Sequence, residues 1–213
     1  MIKFDETLVF GFDPAIRGMR NPMNSWDKSD SYYLWPSDEE YIIGQNDYDL
    51  MMKLRNAGTD HRKFMRMVVV YVDITAPFYW WKEFDTYKVG TVANSCSTMH
   101  KIQAKEFVLD DFSHEHLFEL DILNTVIGYL NHYRNEFLIT KDKECWWQMI
   151  QMLPSSYNQK RTVMLNYEVL ANIYKSRKGH KLDEWHDFCK WIESLPKSEL
   201  ITGGCENGKS NID

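Results

Sequence analysis

Residues 67–84 read Met-Val-Val-Val-Tyr-Val-Asp-Ile-Thr-Ala-Pro-Phe-Tyr-Trp-Trp-Lys-Glu-Phe, and the change of pattern at Pro77 decides the class of fold. The β-branched run from Met67 to Ile74 is the best strand in the chain, bounded by Pro77. The following Phe-Tyr-Trp-Trp-Lys-Glu-Phe predicts a short buried helix, because proline suits the opening of a helix, where its missing N–H costs nothing. Upstream, the apolar stretch Thr7–Phe12 predicts a first strand. Strands and longer helical stretches both occur along this chain, so a mixed fold is expected, of the α+β class.

Working outward, Asn46 is placed to cap a helix that carries Leu50, Met51 and Leu54 on one face and stops at Gly58. Leu117, Leu120, Leu123, Ile127 and Leu130 recur at helical spacing and predict a helix from about Ser113 to Phe137. A further helix follows Thr140, with Cys145, Ile150 and Leu153 inward. Between Thr162 and Ser176, Leu165, Val169, Leu170 and Ile173 form an apolar stripe that ends in Lys175, Arg177, Lys178 and Gly179. Leu182, Trp185, Phe188, Cys189 and Ile192 predict the last helix. Residues 14–31, rich in Arg, Asn, Ser and turn formers, read as a functional loop. The organisation expected is one domain over residues 1–196 and a flexible polar tail over residues 197–213.

The chain has 213 residues, of which 44% are hydrophobic and 26% charged. That composition excludes a disordered chain. A net charge of −6 excludes bulk attraction to nucleic acid or to an anionic membrane, and leaves room only for a local basic pocket. No apolar run approaches the length of a membrane span, and Met-Ile-Lys-Phe-Asp-Glu is no signal peptide, so a cytoplasmic protein is expected. The 8 Trp, 12 Tyr and 11 Phe supply core, subunit interface or a stacking surface. Cys96, Cys145, Cys189 and Cys205 show no Cys-x-x-Cys spacing, which predicts neither zinc nor a disulfide framework.

The motif search is mostly negative. No glycine-rich phosphate loop, His-Glu-x-x-His or Gly-x-Ser-x-Gly occurs. The two histidines of His114-Glu115-His116 point in different directions on a helix, so no metal is expected there. Asn166, Asn172, Lys175, Arg177, Lys178 and His180 form a basic and amide cluster. It is either a solvated helix end or one wall of a pocket around Arg177 completed by a loop or a second subunit.

The order of segments from about residue 15 to 195 resembles the flavin-dependent thymidylate synthase family. Ala15-Ile16-Arg17-Gly18-Met19-Arg20 resembles the family's Ala-x-Arg-x-x-Arg segment. Gly58-Thr59-Asp60-His61, the strand and Ala76-Pro77 resemble its Gly-His, strand, Ala-Pro sequence. Leu153-Pro154, Asn166, Leu170, Asn172 and Arg177 match its C-terminal pattern without a gap. The resemblance implies a central β-sheet with flanking helices and a homotetramer whose pockets draw on several subunits. It also implies FAD, NADPH and methylenetetrahydrofolate as cofactors, no metal, and dUMP as the nucleotide. By the same resemblance Arg177 is catalytic and contacts substrate. His61, Lys88, Asn94 and Asn172 bind cofactor, and Arg17, Arg20, Thr91, Ser95 and Ser97 bind substrate.

The family's Arg-His-Arg signature falls on Thr86-Tyr87-Lys88, so one cation of that set remains, and lysine lacks the bidentate fork of arginine. Weak or absent FAD binding is the expectation. Three functions stay open: a divergent enzyme converting dUMP to dTMP, a non-catalytic nucleotide-binding protein that sequesters or senses its ligand, and a structural oligomer.

Overall fold

The computed structural model describes residues 2–36 and 40–203. In chain order the elements are β1 (Lys3–Phe10), α1 (Phe12–Arg20), β2 (Tyr32–Tyr33), β3 (Tyr41–Ile42), α2 (Gln45–Asn56), β4 (Val69–Pro77), α3 (Phe78–Phe84), β5 (Val92–Ser95), α4 (Thr98–Lys101), α5 (Leu120–Thr140), α6 (Lys143–Met152), β6 (Asn158–Asn166), α7 (Tyr167–Arg177), α8 (Asp183–Glu193) and α9 (Glu199–Thr202). The main sheet has the order β1-β4-β6-β5, and β2 pairs with β3. The α+β reading with a central sheet and flanking helices therefore holds. Among the described residues no helix is long and apolar enough to cross a membrane.

By its contacts the chain divides into two compact units. The first comprises residues 73–86 and 93–162 with the N-terminal residues up to 5; the second comprises residues 6–72, 87–92 and 163 onward.

The first unit is built on α5 and α6, which pack on each other and bury Leu123, Ile127, Leu130 and Met149 with Ile102, Phe107 and Phe112. α5 starts at Leu120, later than the periodicity predicts. The reason is local: Ser113 donates its N–H to the Ser156 carbonyl at 2.8 Å, its hydroxyl donates to Asn158 at 2.9 Å, and Phe112 forms a β-bridge with Tyr157. Those bonds hold residues 112–113 extended. α3 is buried as the sequence predicts, with Trp80 and Phe84 stacked at 5.0 Å and the Trp81 indole N–H donating to the Gln159 carbonyl at 2.9 Å.

In the second unit the segment read as a loop is helical from its start. Gly11 takes φ 99°, a left-handed entry, and α1 then buries Ala15, Ile16, Met19 and Arg20 on one face. The high content of turn formers obscured that i, i+1, i+4 stripe. Asn46 does not cap α2; Gly44 stands at the N-cap, and the Asp30 carboxylate reaches across to accept the N–H groups of Asn46 at 2.9 Å and Asp47 at 3.1 Å. The predicted apolar stripe over Thr162–Ser176 is two elements. Asn166 is extended and its side chain accepts the Val169 N–H at 3.0 Å, which ends β6 and begins α7.

The chain stays packed beyond residue 196. Leu200 and Ile201 of α9 are buried, and Arg55 donates to their carbonyls at 3.1 and 3.2 Å. Residues 204–213 of the expected tail lie outside the described residues. Cys96 is exposed, Cys145 half-buried and Cys189 buried, all as free thiols. Cys205 lies outside the described residues.

A buried ion pair anchors the N-terminal part of this unit. Arg20 and Asp47 are 4% and 0% exposed, and Arg20 Nε meets Asp47 Oδ1 at 2.6 Å. The other carboxylate oxygen accepts the Ser29 and Ser31 hydroxyls at 2.7 Å and the Asp30 and Ser31 N–H groups at 3.1 Å. Burial alone would raise this carboxyl, but hydrogen bonds from Ser31, Ser29 and Arg20 outweigh it and hold the carboxyl below its ordinary value. A depressed carboxyl contributes stability above its unfolded value and loses it as pH falls through the folded one. Denaturant midpoints of the wild type therefore fall as pH drops below about 4. Asp47→Ala, which strands the buried Arg20 cation, costs about 3–5 kcal/mol already at pH 7 and flattens that acid limb.

Candidate functional site

α7 organises the second unit because almost its whole length is buried: Tyr167 to Ala171 and Ile173. Its first turn carries the buried carboxylate of Glu168, which accepts from Arg62 Nε at 3.4 Å and pairs closely with Arg66. A carboxylate in the first turn suits the positive end of a helix, and two guanidinium groups complete its compensation. Arg62 Nη2 also donates to Asn172 Oδ1 at 3.1 Å. The arginines come from a 3-10 turn over Arg62–Arg66.

At the other end of α7 the Arg177 guanidinium lies 4.7 Å from the Trp185 ring and 5.6 Å from the Tyr87 ring, and its Nε donates to the Tyr87 hydroxyl at 2.8 Å. Trp185 is fully buried and meets the Tyr87 ring edge-on at 6.2 Å. His180 meets Trp185 at the same separation and accepts the Leu182 N–H on Nδ1 at 3.2 Å. The two rings and the hydrogen bond to Tyr87 hold the guanidinium at the end of α7.

The loop that supplies Tyr87 runs along α7. Gly90 has φ 78°, and a Cβ there would lie 2.8 Å from Asn166 Nδ2 and 3.0 Å from Val169 Cγ2. On this loop Lys88 is exposed, and the Thr91 hydroxyl is buried with no hydrogen-bond partner among the described residues.

Of the residues named from the sequence, Asn172 and Arg177 lie on α7, Asn172 bonded to Arg62 and Arg177 to Tyr87, while Lys88 and Thr91 lie on the loop beside it. Asn94 and Ser95 belong to the first unit, exposed on the edge strand β5. Ser97 caps α4 by accepting the His100 N–H at 3.2 Å, and lines a cleft of about 300 Å³ in that unit with Cys96, Lys101 and Lys160. Arg17 is exposed on α1 and pairs with Asp13 at 3.1 Å. Arg20 is committed to Asp47 and to the Ser25 carbonyl at 3.2 Å. His61 is exposed beside a groove of about 1080 Å³ that α1 and α2 help to line. Sequence reasoning missed Trp185, Arg62 and Glu168 as site residues. Glu168 and its arginines are more than 100 positions apart, and no local pattern pairs them. Among the described residues no group of three His, Cys, Asp or Glu side chains is placed to hold a metal ion.

Two solved structures superpose on nearly the whole chain. Thymidylate Synthase X (ThyX) from Helicobacter pylori with FAD and dUMP covers 95% of this chain and 97% of its own at 14% identity and TM-score 0.69. A second structure, of flavin-dependent thymidylate synthase ThyX from the same organism complexed with FAD and dUMP, covers 95% and 98% at 15% identity and TM-score 0.67. The chain has the ThyX fold. No family model and no curated protein sequence matches it, so the likeness to ThyX lives in the backbone and shows the fold alone.

Gly90→Ala tests the approach of the loop to α7. A side chain at this positive φ costs about 1–2 kcal/mol, and the clash with Asn166 adds to it. A lowered urea midpoint at unchanged slope is the expected result.

Proposed function

We propose that this chain binds a pyrimidine deoxynucleotide of the dUMP class at the C-terminal end of α7, on a ThyX fold. The observation that carries the reading is the Arg177 guanidinium, stacked on Trp185 at 4.7 Å and held by Tyr87 at 2.8 Å. A planar cation fixed in this way is suited to the carbonyls or phosphate of a nucleotide. Thr91 offers a buried hydroxyl that wants a partner, and Arg17, Ser95 and Ser97 are assigned to the same ligand in the assembled protein. Arg20 is not part of that set, since its buried guanidinium is spent on Asp47 and the Ser25 carbonyl. A homotetramer is part of the reading: Phe10, Met23, Trp35, Val89, Phe118 and Ile139 are all more than half exposed, as expected of faces that meet other subunits.

The two ThyX neighbours carry FAD as well as dUMP. In this chain the Thr86 hydroxyl donates to the Glu83 carbonyl at 2.8 Å, and the Tyr87 hydroxyl takes the Arg177 N–H. Lys88 is the one cation on that stretch for a diphosphate, so FAD binds weakly or not at all in this reading. A second reading is favoured by the likeness along 95% of the chain. It is the flavin-dependent methylation of dUMP to dTMP with methylenetetrahydrofolate and NADPH, with His61, Lys88, Asn94 and Asn172 toward the flavin and Arg177 catalytic.

The test uses Arg177→Lys, which keeps a cation over Trp185 and loses the fork. With dUMP added, the wild type melts several degrees higher and Arg177→Lys does not; absence of any shift in the wild type overturns the nucleotide reading. An absorbance spectrum of freshly purified protein separates the two readings, because stoichiometric yellow flavin selects the enzyme. Light scattering checks the assembly, and a 25.4 kDa particle at micromolar concentration overturns the tetramer.

A further inference from the structure

A groove of about 1080 Å³ in the second unit has an apolar floor of Met19, Leu50, Leu54, Phe64 and Met67, with Met23 at its edge 81% exposed. Lys53, Lys63 and Arg66 stand on its rim against one carboxylate, Asp60. This is a local excess of positive charge on a chain whose net charge is −6. Arg66 is paired with Glu168, whereas Lys53 and Lys63 are exposed and make no ion pair among the described residues. A methionine-lined floor adapts its shape to an incoming ring and favours contact between sulfur and aromatic carbon.

The first unit carries a segment of matching chemistry. Residues 117–122 read Leu-Phe-Glu-Leu-Asp-Ile and lead into α5. Phe118 is 93% exposed, Ile122 63%, Leu117 47% and Leu120 37%. Four apolar side chains in six positions, Phe118 and Ile122 mostly in solvent and Leu117 and Leu120 partly so, interleave with two carboxylates, Glu119 and Asp121, and with no cation. Apolar anchors of that size are rarely left in water without a partner. Anchor-in-groove contact with opposite charges around it is the arrangement that gives an interface both affinity and register.

We propose that the groove receives residues 117–122 of a second copy of this chain, with Phe118 on the methionine floor and Glu119 and Asp121 facing Lys53 and Lys63. The inference rests on the assembly proposed above and names the surfaces that make it.

Charge reversal tests it, read by light scattering at a concentration where the wild type is assembled. Lys53→Glu with Lys63→Glu sets like charges against each other and shifts the mass to smaller species. Glu119→Lys with Asp121→Lys does the same. All four reversals in one chain restore the contact with its signs exchanged, and the assembled mass returns. Phe118→Ser, at a position that contributes almost nothing to the folded chain, loses assembly with an unchanged circular dichroism spectrum. If both double reversals and Phe118→Ser keep the wild-type mass, or if the fourfold variant stays dissociated, this contact is overturned while the tetramer stands. A wild type that is monomeric overturns both.

Discussion

Burying the Glu168 carboxylate in the first turn of α7 imposes a demand that shapes the second unit. A carboxylate taken out of water must be compensated by hydrogen bonds and opposite charge. The start of a helix supplies part of this and Arg62 and Arg66 the rest. Meeting that demand places the turn over residues 62–66 against α7, immediately before β4. The register is then closed by the backbone, where the Tyr167 N–H donates to the Val68 carbonyl at 3.0 Å. One charged residue in this way joins the start of a strand to the start of a helix about a hundred positions away. Asn172, one turn further along α7, is drawn into the same set by Arg62.

Much of this fold was legible in the sequence, for reasons that differ between elements. The strand before Pro77 and the aromatic helix after it follow local rules, since β-branched periodicity and the geometry of proline act within a few residues. The boundaries that were misjudged are those set by distant partners. Residues 112–113 stay extended because Ser156, Tyr157 and Asn158 hold them, and α2 takes its cap from Asp30 across a loop. The break between β6 and α7 was legible in principle, because Asn166 is a good N-cap, but apolar positions on both sides of it masked the change of period. The helix α1 is hidden by composition: the Arg, Asn, Ser and turn formers of residues 14–31 suggest a loop, while Ala15, Ile16 and Met19 bury its inner face.

The candidate site was legible in part. Arg177 was singled out from its place at a helix end, and the structure adds what composition does not show, a stacked and hydrogen-bonded guanidinium. Tyr87 stands at the centre of this difference. Its hydroxyl accepts from Arg177, so the side chain of this loop residue holds the guanidinium at the end of α7 in place. The ThyX backbone is kept along nearly the whole chain at 14% identity, which is the usual relation between a fold and the activities it hosts.

The thiols carry a consequence of their own. Cys96 is exposed, whereas Cys189 lies inside α8, one turn after Trp185, with burial pushing its thiol up to about 11. A thiolate-seeking reagent at neutral pH meets Cys189 only when α8 lifts from its neighbours. The rate at which that one sulfur is modified is therefore a clock for local opening beneath the Arg177 guanidinium, built into the chain and readable by mass without a spectroscopic label.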